Sequence, residues 1–115
     1  MGTVIKRIYD PPSRGDGRRV LVDRLWPRGL GKDSAAVDEW MKEIVPSNEL
    51  RKWFIHDPSR WTEFKQKYKK ELLQEHQDEI GRLKKDARRG HVTLLYAARD
   101  TENNNAAVLK EVLDS

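Results

Sequence analysis

Two short runs constrain what this chain can fold into. Residues 18–22, RRVLV, end in a continuous apolar stretch, and residues 92–98, VTLLYAA, are apolar almost throughout. Neither shows the alternation of a strand with one wet face. A strand of this kind is covered on both faces, as in the parallel sheets of α/β proteins. The segment between the two runs is long enough for several helices, so the second run is expected to return parallel to the first through a helical crossover. The expected fold class is α/β: a small three-layer domain with a short, mainly parallel sheet flanked by helices.

Residues 3–9, TVIKRIY, read as a further strand, rich in β-branched and aromatic types. PPSRGDG is a loop by composition. Its Arg14-Gly15-Asp16 tripeptide, familiar from integrin ligands, is best taken as chance in a chain with no sign of secretion. About eight residues separate the first two strands, fewer than the dozen a βαβ crossover needs. They pair as a hairpin or lie apart in the sheet, and both arrangements stay open.

Ser34 suits the cap of a helix starting near Ala35, with Val37, Trp40, Met41 and Ile44 on one face and Pro46 as its stop. Ser47 suits the cap of a second, with Leu50, Trp53 and Phe54 inward. Asp57-Pro58-Ser59 opens a third, on which Trp61, Phe64, Tyr68 and Leu72 recur at helical spacing. Ile80, Leu83 and Ala87 continue the pattern beyond a break or kink near residues 76–79, and Arg88-Arg89-Gly90 close it. After the polar turn RDTENNN, AAVLKEVL is a final amphipathic helix.

At 115 residues the chain is sized for one domain, taken as residues 1–115, with a modest core. Charged residues make up 37% and mean hydropathy is -0.89, so much of the surface is solvated, while the periodic apolar runs argue against disorder. The net charge of +4 mixes 19 acids among 23 bases, which permits an anionic partner without demanding one. The absence of cysteine excludes disulfides, thiolate metal sites and thiol nucleophiles. No apolar run approaches the ~20 residues of a membrane span. MGTVIKRIYD lacks the apolar core of a signal peptide, and Lys6 breaks the myristoylation pattern that Gly2 begins. The expectation is a cytoplasmic protein without membrane contact, of undetermined oligomeric state.

If the strands at 18–22 and 92–98 are parallel, their carboxyl ends share an edge, where ligands of open α/β sheets bind. The first brings Asp23, Arg24, Trp26 and Arg28 to that edge. The second brings Tyr96, Arg99, Asp100 and then Asn103, Asn104 and Asn105 at a helix start. Three arginines suit a carboxylate or phosphate, and the helix start adds free N–H groups. The candidate ligand-binding residues are Arg24, Trp26, Arg28, Tyr96, Arg99, Asn104 and Asn105, joined by His56 in the loop after Phe54. Asp23 and Asp100 are candidates for orienting the arginines or for general-base catalysis. Structural readings stand beside these. Asp23 and Arg24 could form a buried ion pair, Arg28 could cap loop carbonyls, and the asparagines could serve as helix caps. For Trp26 a plug at the sheet edge is the preferred reading, and for His56 a solvated loop position.

His56, His76 and His91 form no HxxxH pair, so no metal is expected. No GxGxxG, Walker A or GxSxG pattern occurs, so no cofactor is expected either. Lysines and arginines on the long helices (Lys65, Lys67, Lys69, Lys70, Lys84, Lys85, Arg88 and Arg89) make a non-enzymatic nucleic-acid- or protein-binding module the runner-up. Glu63, Glu71 and Asp86 interrupt that charge, and no recognised nucleic-acid motif accompanies it.

RVLVDRLWPRG, the DEW-KE-PS-ELRKWF segment, the W--F---Y--EL helix and TLLYAA-D together resemble the bacterial YeaO-like branch of the DUF488 family, over nearly the whole chain. The resemblance implies a small α/β domain of unknown function. Asp23, Arg24, Trp26, Pro27, Arg28 and Gly29 match the family's DRLWPRG. Related sequences often read Asn-His-Ala where this chain has Asn104, Asn105 and Ala106, and longer members carry a Cys-His-Arg-like run there. Asparagine hydrogen-bonds but does not titrate near neutral pH. This departure counts against a histidine-dependent mechanism and fits plain anion binding. The expected function is therefore an arginine-rich pocket for a phosphate- or carboxylate-bearing small molecule, with turnover left open.

Overall fold

Both apolar runs are strands of one sheet in a computed structural model of the chain, which describes residues 2–55 and 57–115. Among these residues four strands, β1 (Gly2–Arg7), β2 (Arg18–Leu21), β3 (Glu39–Trp40) and β4 (His91–Tyr96), lie in the order β1-β4-β2-β3, and every neighbouring pair is parallel. β4 is central: Leu94 stands opposite Ile5 on one side and Val20 on the other.

Successive residues of the central strands enter different cores, as period-two geometry requires. Val20, Val22, Val92, Leu94 and Tyr96 join a large cluster, whereas Leu21 and Leu95 join a small one. The large cluster is completed by helices α2 (Asn48–Phe54), α3 (Trp61–Glu75), α4 (Gln77–Arg89) and α5 (Asn105–Asp114). Leu50, Tyr68, Leu72, Leu83 and Leu109 are among the side chains they bury there. Each such burial stabilises by roughly 1.5–3 kcal/mol, so this face dominates the cohesion of the fold. The other face carries a thinner layer: the single-turn helix α1 (Lys32–Ala35) and loops that place Ile8, Trp26, Leu30 and Val37 over Leu21 and Leu95. The class is α/β, with a fully parallel sheet and most of its helices on one side.

β1 and β2 do not pair. Both add to β4, and the connection between them is short because it crosses with only a 3-10 turn at Arg14–Asp16. Close contacts at the amino end of β4 hold it down. The buried Thr93 hydroxyl donates to the Asp16 carbonyl at 2.7 Å. Gly17 has φ 62°, and a Cβ there would lie 2.3 Å from the His91 carbonyl oxygen, so a larger residue cannot pass. The Asp16 side chain faces inward, where it receives Lys6, Arg19 and both the N–H and the hydroxyl of Ser13. Arg19 also donates to the carbonyls of Ala35 and Ala36. The Arg14-Gly15-Asp16 tripeptide is thus an anchor for the crossover, with its carboxylate hidden.

The helix expected from residue 35 to Pro46 does not form. α1 ends at Ala35, Ala36 turns into the left-handed region at φ 50°, and residues 39–40 extend alongside β2. Asp38 and Met41 donate their backbone N–H groups to Arg19 and Leu21 at 2.8 and 2.9 Å. Satisfying the carbonyls of β2 outweighs the helical spacing. The four residues assigned to one helix face divide accordingly: Val37 and Trp40 pack on the small cluster, Met41 and Ile44 in the large one. The interruption expected near residues 76–79 falls at His76, between α3 and α4.

Candidate functional site

β2 and β4 run parallel and end at the same edge. Just beyond, Val22 N–H donates to the Leu95 carbonyl at 3.0 Å, prolonging the pairing. Asp23 then accepts the Ala97 N–H on its Oδ2 at 2.7 Å, and Asn105 Nδ2 donates to the Val22 carbonyl at 2.6 Å. These bonds close two segments, 74 and 83 residues apart along the chain, into one junction.

Beside this junction lies a cavity of about 490 Å³, within the range usual for small-molecule sites. Its polar lining comes from Asp23, Arg24, Arg99, Asp100 and Asn103 to Asn105, with Arg51 from α2. Its apolar lining comes from Val45, Pro46, Phe54, Pro58, Trp61 and Phe64. The rings of Phe54 and Phe64 are 4.4 Å apart, and those of Trp61 and Phe64 are stacked at 5.4 Å.

Arg24 is the notable polar group. Its Nη1 is buried and has no hydrogen-bond partner, a condition that costs about 1–3 kcal/mol for a buried donor. Among the described residues no ion pair joins it to Asp23. Burial pushes the Asp23 carboxyl above its ordinary range, an effect that the Ala97 N–H only partly offsets. Asp100 is exposed and accepts the N–H groups of Glu102 and Asn103, both at 2.9 Å. Those two bonds, Asn103 first, hold its carboxyl below the usual range.

The asparagines have structural work as well. Asn104 caps α5 by accepting the Ala107 N–H at 2.8 Å and donates to the Asp100 carbonyl at 2.9 Å. Arg99 lines the cavity and is exposed. The remaining candidates among the described residues are not part of the cavity lining. Tyr96 is buried in the large cluster, which pushes its hydroxyl up. Trp26 donates its indole N–H to the Leu30 carbonyl at 2.7 Å and meets Trp40 edge-on at 5.5 Å, within the thin layer. Arg28 is exposed and outside the cavity lining, and its carbonyl accepts the Tyr9 hydroxyl. His56 falls outside the described residues.

Sequence reasoning missed Arg51 and the apolar lining. Phe54, Trp61 and Phe64 obey helical spacing, which makes a cavity wall look like core. The usable signal was the density of aromatics around two prolines between Pro46 and Phe64. Among the described residues no group of three or more His, Asp or Glu side chains is placed to hold a metal ion. No helix among them is long and apolar enough to cross a membrane.

Residues 3–115 match DUF488-N3i, described as the inactive DUF488-N3 subclade. The chain belongs to this family. It is similar to the uncharacterized protein YeaO of Escherichia coli (strain K12), with 48% identity over 115 residues that cover 100% of this chain and 99% of the relative. It is also similar to the uncharacterized protein Rv3073c of Mycobacterium tuberculosis (strain ATCC 25618 / H37Rv), with 40% identity over 110 residues, 96% of this chain and 92% of the relative. No solved structure gives a significant match. In this DUF488-N3i chain the DRLWPRG segment divides its labour: Asp23 and Arg24 line the cavity, Trp26 packs in the thin layer, and Arg28 stands in solvent.

Proposed function

We propose that the protein binds a small anionic molecule in the cavity beside β2 and β4, as a binding protein rather than an enzyme. One observation carries the reading: Arg24 lines this cavity, and its guanidinium includes a buried nitrogen, Nη1, that has no hydrogen-bond partner. A carboxylate or phosphate oxygen would supply an acceptor for this guanidinium through a charge-assisted bond, with a small turn of the side chain bringing Nη1 to it. Arg51 and Arg99 add positive charge to the lining. The description of the family as inactive, and an amide rather than a titrating side chain at Asn105, support binding without turnover. The same reading takes residues 1–115 as one cytoplasmic domain. Nucleic acid along the basic helices has less to stand on. Lys65 and Lys69 both pair with Glu111 at 3.1 Å, and Lys67 pairs with Glu63.

A thermal-shift screen of small carboxylates and phosphates tests the proposal, because a ligand that binds only the folded state raises the melting point. At least one anion should raise it in the wild type, and Arg24→Gln should abolish the rise. A rise of equal size in Arg24→Gln would overturn the assignment.

A further inference from the structure

We infer that the ligand is a singly charged anion carrying a planar ring, with its charge at Arg24 and its ring against Phe54 and Trp61. This rests on the anion-binding reading and narrows it to a chemical class.

The charge follows from what the lining holds and what it has already used. Arg24, Arg51 and Arg99 share the lining with two carboxylates, Asp23 and Asp100. With both acids ionised, one positive charge remains to be matched. A phosphate monoester, carrying nearly two negative charges at neutral pH, would over-compensate and meet repulsion from both acids. Phosphate sites also rely on several free backbone N–H groups at a helix start. Here part of that set is in use: Asn104 accepts the Ala107 N–H of the first turn, and Asp100 accepts the N–H groups of Glu102 and Asn103 just before it. A carboxylate needs fewer donors, and a guanidinium holds it in a planar fork.

The ring follows from the rest of the lining. Phe54 and Trp61 are only half-buried, while Phe64 beneath them is buried and Trp61 stacks on it at an interplanar angle of 25°. Side chains that keep some apolar surface beside a cavity gain from a flat apolar partner, in stacked or edge-on contact. The volume of about 490 Å³ also exceeds the needs of a bare inorganic anion.

Calorimetric titration of the full chain with 2-naphthoate, acetate, 2-naphthylmethanol, inorganic phosphate and 2-naphthyl phosphate tests this. The expected result is that 2-naphthoate binds at least about tenfold more tightly than each of the others, a difference of about 1.4 kcal/mol. Trp61→Leu should weaken 2-naphthoate about tenfold, in line with the loss of one aromatic contact. Phe54→Leu serves as the second variant should Trp61→Leu fail to fold, and the comparison among ligands needs no variant. Tighter binding of 2-naphthyl phosphate would overturn the single charge. Acetate or phosphate matching 2-naphthoate would overturn the ring. In both cases anion binding itself would stand, provided that it depends on Arg24. If no anion binds in an Arg24-dependent way, the proposed function and this inference fall together.

Discussion

The Asp23 carboxylate accepts the backbone N–H of Ala97 at 2.7 Å, joining the ends of β2 and β4 at the rim of the cavity. Burial pushes this carboxyl above the ordinary aspartate range, so the folded state holds the proton more tightly than the unfolded chain does. The resulting stabilisation is fully present below the unfolded pKa, near 3.9. It is lost as pH rises through the higher folded value. An anion bound nearby should weaken over the same window as Asp23 ionises. Asp23→Asn keeps an oxygen for Ala97 but cannot ionise. Relative to it, the wild type should lose both stability and anion affinity as pH climbs from the acid side, read by denaturant titration and calorimetry across that window. Parallel pH profiles for the two proteins would refute the assignment.

Arg24→Met should abolish anion binding and raise stability by about 1 kcal/mol. The substitution removes a donor that is buried without a partner, and such groups are destabilising. Functional sites often carry this kind of cost. Urea denaturation measures it. A less stable Arg24→Met protein would mean that the guanidinium holds the fold together.

Asp16 and Arg19 form a buried pair at the opposite end of β2, with side chains 9% and 5% exposed. Asp16→Ala leaves Arg19 without its counter-charge and should cost about 3–5 kcal/mol. Burial acts to raise the Asp16 carboxyl, but the bonds from Ser13, Lys6 and Arg19 outweigh it and hold the carboxyl well below its usual range. Its contribution is therefore complete above the ordinary aspartate pKa and fades as pH falls through the depressed one. The wild type should lose more stability on acidification than Asp16→Ala, and anion affinity in the folded variant should be unchanged.

How much of this was legible depended on the kind of signal. β2 and β4 were readable because a short continuous apolar run has few other uses. The helices α2 to α5 were readable from their 3.6-residue period and from caps such as Ser47 and Asn104. The segment from Val37 to Ile44 misled because its spacing suited a helix, while the decisive factor was the unpaired edge of β2. DRLWPRG looked like a single functional unit with two arginines for a ligand. Only Arg24 reaches the cavity, because the chain turns away after it and spends Trp26 on covering the thin face.

The amino-acid sequence by itself determined the α/β class, the two buried parallel strands and the family, since these rest on local composition, periodicity and a long motif set. Only the tertiary structure decided the strand order β1-β4-β2-β3, which arginines line one cavity, and that Phe54 and Trp61 border it. Periodicity reports that a face is apolar. It carries no information about which distant element covers that face, or whether any does, because that depends on contacts between residues far apart in the chain.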